Sequence, residues 1–175
     1  MTIDKTIPVE LVNKVAQSGI ISFDLETYFP DEKRIVSFDM KDYLFKGLIL
    51  REKDFREALA AINWEDYTGK YLAIFCSSDA IIPNGAWMLI VAQAEPFAAK
   101  IVMGTPDDLI KQMYRETLAA IDIETFREQK IIIKGCSDKP VPPDAYLEIT
   151  KILRPVAKSI MYGEPCSTVP VFKKK

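Results

Sequence analysis

The chain has 175 residues, carries 23 lysines and arginines against 25 aspartates and glutamates, and contains no histidine. Its formal net charge of −2 argues against nucleic acid or an anionic membrane as the main partner. No apolar run approaches the roughly 18 residues of a membrane-spanning helix. Because histidine is absent, a Ser-His-Asp or Cys-His catalytic system within one chain and any imidazole-ligated metal site are excluded.

The length and the cysteine usage indicate one cytoplasmic domain. A chain of this length buries a large core without covalent staples. The opening residues lack the charged start, the apolar run and the small-residue cleavage site of a signal peptide. Three cysteines, an odd number, favour free thiols in a reducing compartment.

The first 50 residues contain a short internal echo, since residues 20–29 resemble residues 35–44. Each segment opens with β-formers, and residues 30–33 between them have the composition of a turn. We predict two adjacent strands here and a short helical stretch near residues 40–47. A further short helix is predicted at residues 9–17, where a glycine ends it.

A longer repeat follows, because residues 55–67 align without a gap with residues 114–126. The apolar spacing and the prolines predict helix, strand, helix and strand in each copy. Neighbouring copies of such a unit usually share a core. Copy one covers about residues 51–104 and copy two about residues 105–163.

This alternation predicts the fold class. Strands that alternate with helices are typical of an α/β fold with a substantially parallel sheet. We therefore predict a single α/β domain over residues 1–175, with a mostly parallel sheet built from the tandem repeat. A two-strand segment at residues 1–50 precedes the repeat, and a tail at residues 164–175 follows it.

All three cysteines fall just after predicted strands. In open parallel sheets ligands bind outside the carboxyl ends of the strands. If the strands are neighbours, Cys76, Cys136 and Cys166 converge on one edge, where thiolates would select a soft metal ion or an iron–sulfur cluster. An open fourth position, or an oxygen of Asp79 or Asp138, would complete a tetrahedral site. The alternative is that the thiols are small buried residues at strand ends.

The loops that follow two of these strands are candidate cofactor-binding segments. Serine hydroxyls and backbone N–H groups before a helix hold a phosphate or carboxylate group. The residues concerned are Ser77, Ser78, Asp79, Ser137 and Asp138. Neither loop is rich in glycine, so an Asx turn or a helix cap is the alternative role of the aspartates.

Three segments resemble a known family, namely residues 44–57, 135–140 and 161–170. They are similar to bacterial proteins catalogued as domain of unknown function 2480, and the resemblance runs from about Val12 to the end. It implies no established activity, cofactor or catalytic residue.

Two functions from different classes remain open, so the sequence leaves undecided whether the protein is an enzyme. The preferred hypothesis is a non-enzymatic cytoplasmic binding or accessory protein that holds a metal ion or cluster with its cysteines. The alternative is an enzyme for a small anionic substrate, with Asp79 or Asp138 as acid and base. In that alternative Cys166 is the candidate nucleophile, since it aligns with the start of a helix in the other copy. A protein partner and a symmetric homodimer are the expected associations.

Overall fold

The computed structural model describes residues 13–14, 19–135, 137–164 and 167–175. The strands are β1 Asn13–Lys14, β2 Ile20–Asp24, β3 Ile35–Asp39, β4 Leu44–Phe45, β5 Ile49–Leu50, β6 Tyr71–Phe75, β7 Lys100–Met103, β8 Lys130–Lys134, β9 Ser159–Glu164 and β10 Ser167–Lys173. The helices are α1 Glu52–Ala61, α2 Asn84–Ala94, α3 Pro106–Ala119 and α4 Pro143–Leu153.

The strands form three sheets within the described residues. One sheet has the order β1-β2-β8-β9-β10, a second has the order β3-β6-β7, and β4 and β5 form a hairpin. The pairs β2–β8, β8–β9, β3–β6 and β6–β7 are parallel, whereas β1–β2, β9–β10 and β4–β5 are antiparallel. Helices alternate with the parallel strands, so the predicted α/β class with mostly parallel sheets is confirmed.

The chain divides into two compact units. The inserted unit is Pro30–Met113 and contains the three-stranded sheet and the hairpin. The split unit combines the described residues up to Phe29 with those from Tyr114 onward, and it contains the five-stranded sheet. The division falls inside α3. The predicted boundaries near residues 50, 104 and 163 stay predictions.

The expectation that the two N-terminal strands are neighbours is wrong. β2 pairs with β8, where Ile20 lies opposite Lys130, and β3 pairs with β6, where Ile35 lies opposite Tyr71. Lys130 and Tyr71 are equivalent positions of the two repeat copies, so the registers are the same. The echo therefore marks equivalent strands of two sheets, and each copy pairs its first strand with one of the two echo strands.

Matching 3₁₀ turns follow the two echo strands, Leu25–Tyr28 and Met40–Tyr43. The side chain of Asp24 accepts the N–H of Glu26 at 3.0 Å, and the side chain of Asp39 accepts the N–H of Lys41 at 3.0 Å. Such caps satisfy backbone N–H groups that have no partner in the turn. The second turn confirms the predicted helical stretch at residues 40–43 only, because residues 44–45 form β4.

The first helix of each copy buries the first two residues of its apolar stripe, whereas the third, Ile62 or Ile121, follows the helix and is half-buried. Phe55 and Leu59 of α1 pack in the core of the inserted unit, and Tyr114 and Leu118 of α3 are fully buried. The core of the inserted unit comprises Phe38, Met40, Phe55, Leu59, Trp64, Leu72, Ile74, Ala86, Ile90 and Ala94. Buried side chains of the split unit include Leu25, Ile131, Ile132, Ile133, Ile149, Leu153 and Ile160. Each large apolar side chain contributes about 1.5–3 kcal/mol on burial.

The ends of the described chain differ from the expectation of a helix at residues 9–17. Asn13–Lys14 is a strand that pairs with β2, so the helix is wrong at these two residues. The rest of that predicted helix lies outside the described residues. At the other end, the tail contributes β10, which pairs with β9.

Equivalent turns in the two copies each contain a residue with positive φ. Gly69 has φ +70° and Glu128, its counterpart, has φ +56°. A Cβ added at Gly69 would meet nothing within 4 Å, so its cost comes from the backbone alone. We expect Gly69→Ala to lower the free energy of unfolding by about 1 kcal/mol and Gly69→Asn to lower it less, because asparagine tolerates the left-handed region. Urea unfolding measures both, and equal losses would contradict the assignment.

Candidate functional site

The predicted site segments follow parallel strands of two different sheets. Cys76 follows β6 of the three-stranded sheet. Cys136 and Cys166 follow β8 and β9 of the five-stranded sheet, and both lie outside the described residues. The condition that the preceding strands are neighbours therefore holds for β8 and β9 and fails for β6.

Cys76 has the surroundings of a structural thiol. Its side chain is half-buried against the core of the inserted unit. The Sγ atom is a free thiol and donates a hydrogen bond to the carbonyl oxygen of Ser78 at 3.4 Å. This contact favours the packing role for Cys76.

The loop after β6 closes on a carboxylate from β3. Asp39 Oδ1 accepts the N–H of Ser77 at 3.0 Å as well as that of Lys41. Partial desolvation raises the pKa of Asp39, but the hydrogen bonds from Ser77 and Lys41 outweigh it and leave this pKa below its usual value. Ser78 donates its hydroxyl to the Gly47 carbonyl at 2.7 Å, while Asp79 is exposed.

The loop after β8 closes on a carboxylate in a similar way. The N–H groups of Ser137 and Asp138 both donate to Glu26 Oε1, at 2.5 Å and 3.1 Å. Lys139 Nζ donates to the Glu26 carbonyl oxygen at 3.2 Å. Backbone N–H groups that converge on one point make an anion site. Here the carboxylate of Glu26 is the anion that they hold.

Asp39 and Glu26 are the site residues that sequence reasoning missed. Asp39 is the last residue of β3, and Glu26 lies in the turn after β2. Asp39 contacts the loop after β6, which pairs with β3, and Glu26 contacts the loop after β8, which pairs with β2. The signal was present in the echo of residues 20–29 and 35–44, but its use required the strand pairing to be known.

An ion pair distinguishes the edge of the five-stranded sheet. Lys134 Nζ lies 2.9 Å from Asp24 Oδ2. The hydrogen bond to Asp24 raises the pKa of Lys134, and the negative charges of Glu164 and Glu26 add to this effect. In the other copy the position of Lys134 is taken by Phe75, so the pair has no counterpart there.

Among the residues that the structure describes, no three or more cysteines, aspartates or glutamates are grouped so as to hold a metal ion. The three-cysteine site stays a prediction, because two of its members lie outside that part of the chain. Cys166 itself lies outside the described residues, and β10 begins at the next residue, Ser167.

The hydrogen bonds of Asp39 give a pH-dependent prediction. An aspartate has an unfolded pKa of about 3.9, and the folded pKa of Asp39 is lower. Its contribution to stability is therefore complete above the unfolded pKa and is lost as the pH falls through the folded pKa. Asp39→Ala should cost about 1–2 kcal/mol at pH 7, in the range of lost caps, and less in acid. Urea unfolding of the parent protein and the variant, at pH 7 and in acid below the folded pKa of Asp39, measures this cost. A cost that does not change with pH would contradict the prediction.

None of the described helices combines the length and the apolar composition of a membrane span.

The family described as protein of unknown function (DUF2480) matches residues 9–174. Comparisons with curated proteins and with solved structures gave no match. The match covers nearly the whole chain, so this protein belongs to the DUF2480 family, as the three segments at residues 44–57, 135–140 and 161–170 predicted.

Proposed function

We propose that the protein is a non-enzymatic binding or accessory module that holds a soft metal ion or an iron–sulfur cluster through Cys136 and Cys166. The observation that supports this is the sheet order, because β8 and β9 are parallel neighbours with Ile133 opposite Tyr162. Cys136 comes two residues after the end of β8, and Cys166 comes two residues after the end of β9. Neighbouring strands that run in one direction end at the same edge of a sheet.

The ligand set of this proposal is smaller than the one predicted from sequence. Cys76 and Asp79 follow β6 of the other sheet, and Cys76 already has a packing role. Two thiolates with a carboxylate oxygen from Asp138 suit zinc or iron, which accept mixed sulfur and oxygen ligands. Asp138 is exposed, and the hydrogen bond to Glu26 uses its N–H group and leaves its carboxylate outside that contact.

The enzyme alternative has weaker support. It needs the loop N–H groups to contact a small anion, but those of Ser77, Ser137 and Asp138 donate to carboxylates of the protein itself. A substrate would have to displace Asp39 or Glu26 before it could bind. A binding module requires no such exchange.

Three variants that each replace one cysteine by serine test the proposal, and one of them is a matched control. We expect protein purified without oxygen to contain a bound metal by elemental analysis, together with a thiolate charge-transfer band if the metal is iron. Cys136→Ser and Cys166→Ser should each lower the metal content several-fold, because each removes a thiolate ligand. Cys76→Ser should leave the metal content unchanged, because the Cys76 thiol packs against the core of the inserted unit and donates to the Ser78 carbonyl.

Two outcomes would contradict the proposal. One is a parent protein without metal, and the other is an equal loss of metal in the Cys76 variant. Circular dichroism of all three variants separates loss of a ligand from loss of the fold.

A further inference from the structure

Helix α2 contains no charged residue, although its counterpart in the second copy does. At the repeat offset, Asp144, Glu148 and Lys151 of α4 align with Gly85, Leu89 and Ala92 of α2. In α4 these charges form ion pairs, from Arg115 to Asp144 at 3.0 Å and from Lys151 to Glu148 at 2.7 Å. Two helices of the same ancestry and position thus differ in how their outer faces meet the solvent.

The outer face of α2 is apolar and exposed. Its inner face is buried in the core through Ala86, Ile90 and Ala94. On the outer face Met88 is 70% exposed and Val91 is 40% exposed. Asn84 and Gln93 are the polar residues of α2, and a helix with so few polar groups is normally covered on more than one side. The inner face has its cover in the core, and the outer face has none within the described chain.

Gly85 points to close approach by another backbone. A Cβ at this position would meet nothing within 4 Å, and Gly85 is not among the glycines with positive φ. Gly85 is the second residue of α2, and a glycine there loses more backbone entropy on folding than an alanine would. Neither crowding nor backbone conformation within the chain requires a glycine here. A second helix packed against this face would require a small residue.

The exposed apolar area has the size of a subunit contact. Ile81 lies three residues before the start of α2 at Asn84 and is 96% exposed, and Ala92 is exposed as well. The exposed fractions of Ile81, Met88 and Val91 add to about two fully exposed side chains, which is on the order of 300–400 Å² at the lower part of the 150–250 Å² range of large side chains. A standard interface buries about 800 Å² per partner, of which just over half is apolar.

We propose that this face of α2 binds the same face of a second copy of the chain, about a two-fold axis near Met88. In an antiparallel arrangement centred there, Gly85 lies opposite Ala92 of the second copy, so that small residues meet and the helices approach closely. A two-fold interface requires a self-complementary surface. An uncharged face meets this requirement because no like charges oppose each other, and it offers nothing to a partner chosen by charge.

The experiment introduces at α2 the charges that α4 carries. We expect the unaltered protein to be a dimer at micromolar concentration by sedimentation velocity. Gly85→Asp and Ala92→Lys, made separately, should each weaken dimerisation at least about tenfold, since each buries an unpaired charge at both symmetric positions. The double variant should recover most of the loss, because each new carboxylate then faces a new ammonium group.

The controls separate the interface from the fold. Lys151→Ala on α4 should leave dimerisation unchanged, since it alters an equivalent exposed position of the other copy. Gly85→Ala should stabilise the helix and still weaken the dimer, a combination that a purely structural role would not give. Cys136→Ser should remain a dimer, so this test is independent of the metal proposal.

Three results would overturn the inference. A parent protein that is monomeric at every concentration tested would remove the second copy as the occupant and leave a different protein partner. A dimer that withstands both single charges would place the interface elsewhere. A double variant no stronger than the single variants would exclude the antiparallel register.

Discussion

Parallel pairing between strands that are distant in sequence is the constraint on which the rest of the structure depends. The whole inserted unit separates β2 from β8 in the sequence, yet the two strands pair, with Ile20 opposite Lys130. The buried hydroxyl of Tyr114 supports this pairing, because it donates to the Leu25 carbonyl just after β2 at 2.9 Å. Burial raises the pKa of Tyr114, so the phenol stays protonated and remains a donor. Both carboxylate-closed loops follow from the pairings of the echo strands.

Local structure was predictable from sequence because it has local causes. The apolar spacing of Phe55 with Leu59 and of Tyr114 with Leu118 gave the buried helix faces, and the β-formers gave β6 and β8. The partner of each echo strand was not predictable in this way. Residues 20–29 and 35–44 are close in the chain, and adjacent segments often pair, so proximity favoured the wrong arrangement. The information that decides it lies in the repeat copies.

The site could be predicted as a place but not as a set of contacts. The segments that contain Ser77 and Ser137 do follow strand ends, as the alternation of helix and strand required. The carboxylates that accept hydrogen bonds from the N–H groups of these segments, Asp39 and Glu26, come from segments dozens of residues away in the sequence. Spacing along the chain contains no signal for such a contact. The identical registers of the two sheets show that Asp39 and Glu26 have the same role. Each carboxylate accepts backbone N–H groups of the loop that follows the paired strand.

The duplication also provides an internal comparison that a single domain does not offer. Both copies keep the buried faces of their helices and strands, and the two echo segments keep their capped turns, so the shared features describe the scaffold. The differences lie at exposed or edge positions, where the fold alone imposes little. Lys134 has an ion-pair partner where Phe75 has none, and Gly85 stands where Asp144 meets Arg115. Neither the scaffold nor the solvent favours a glycine at exposed position 85, and the proposed contact with a second copy of the chain would account for it.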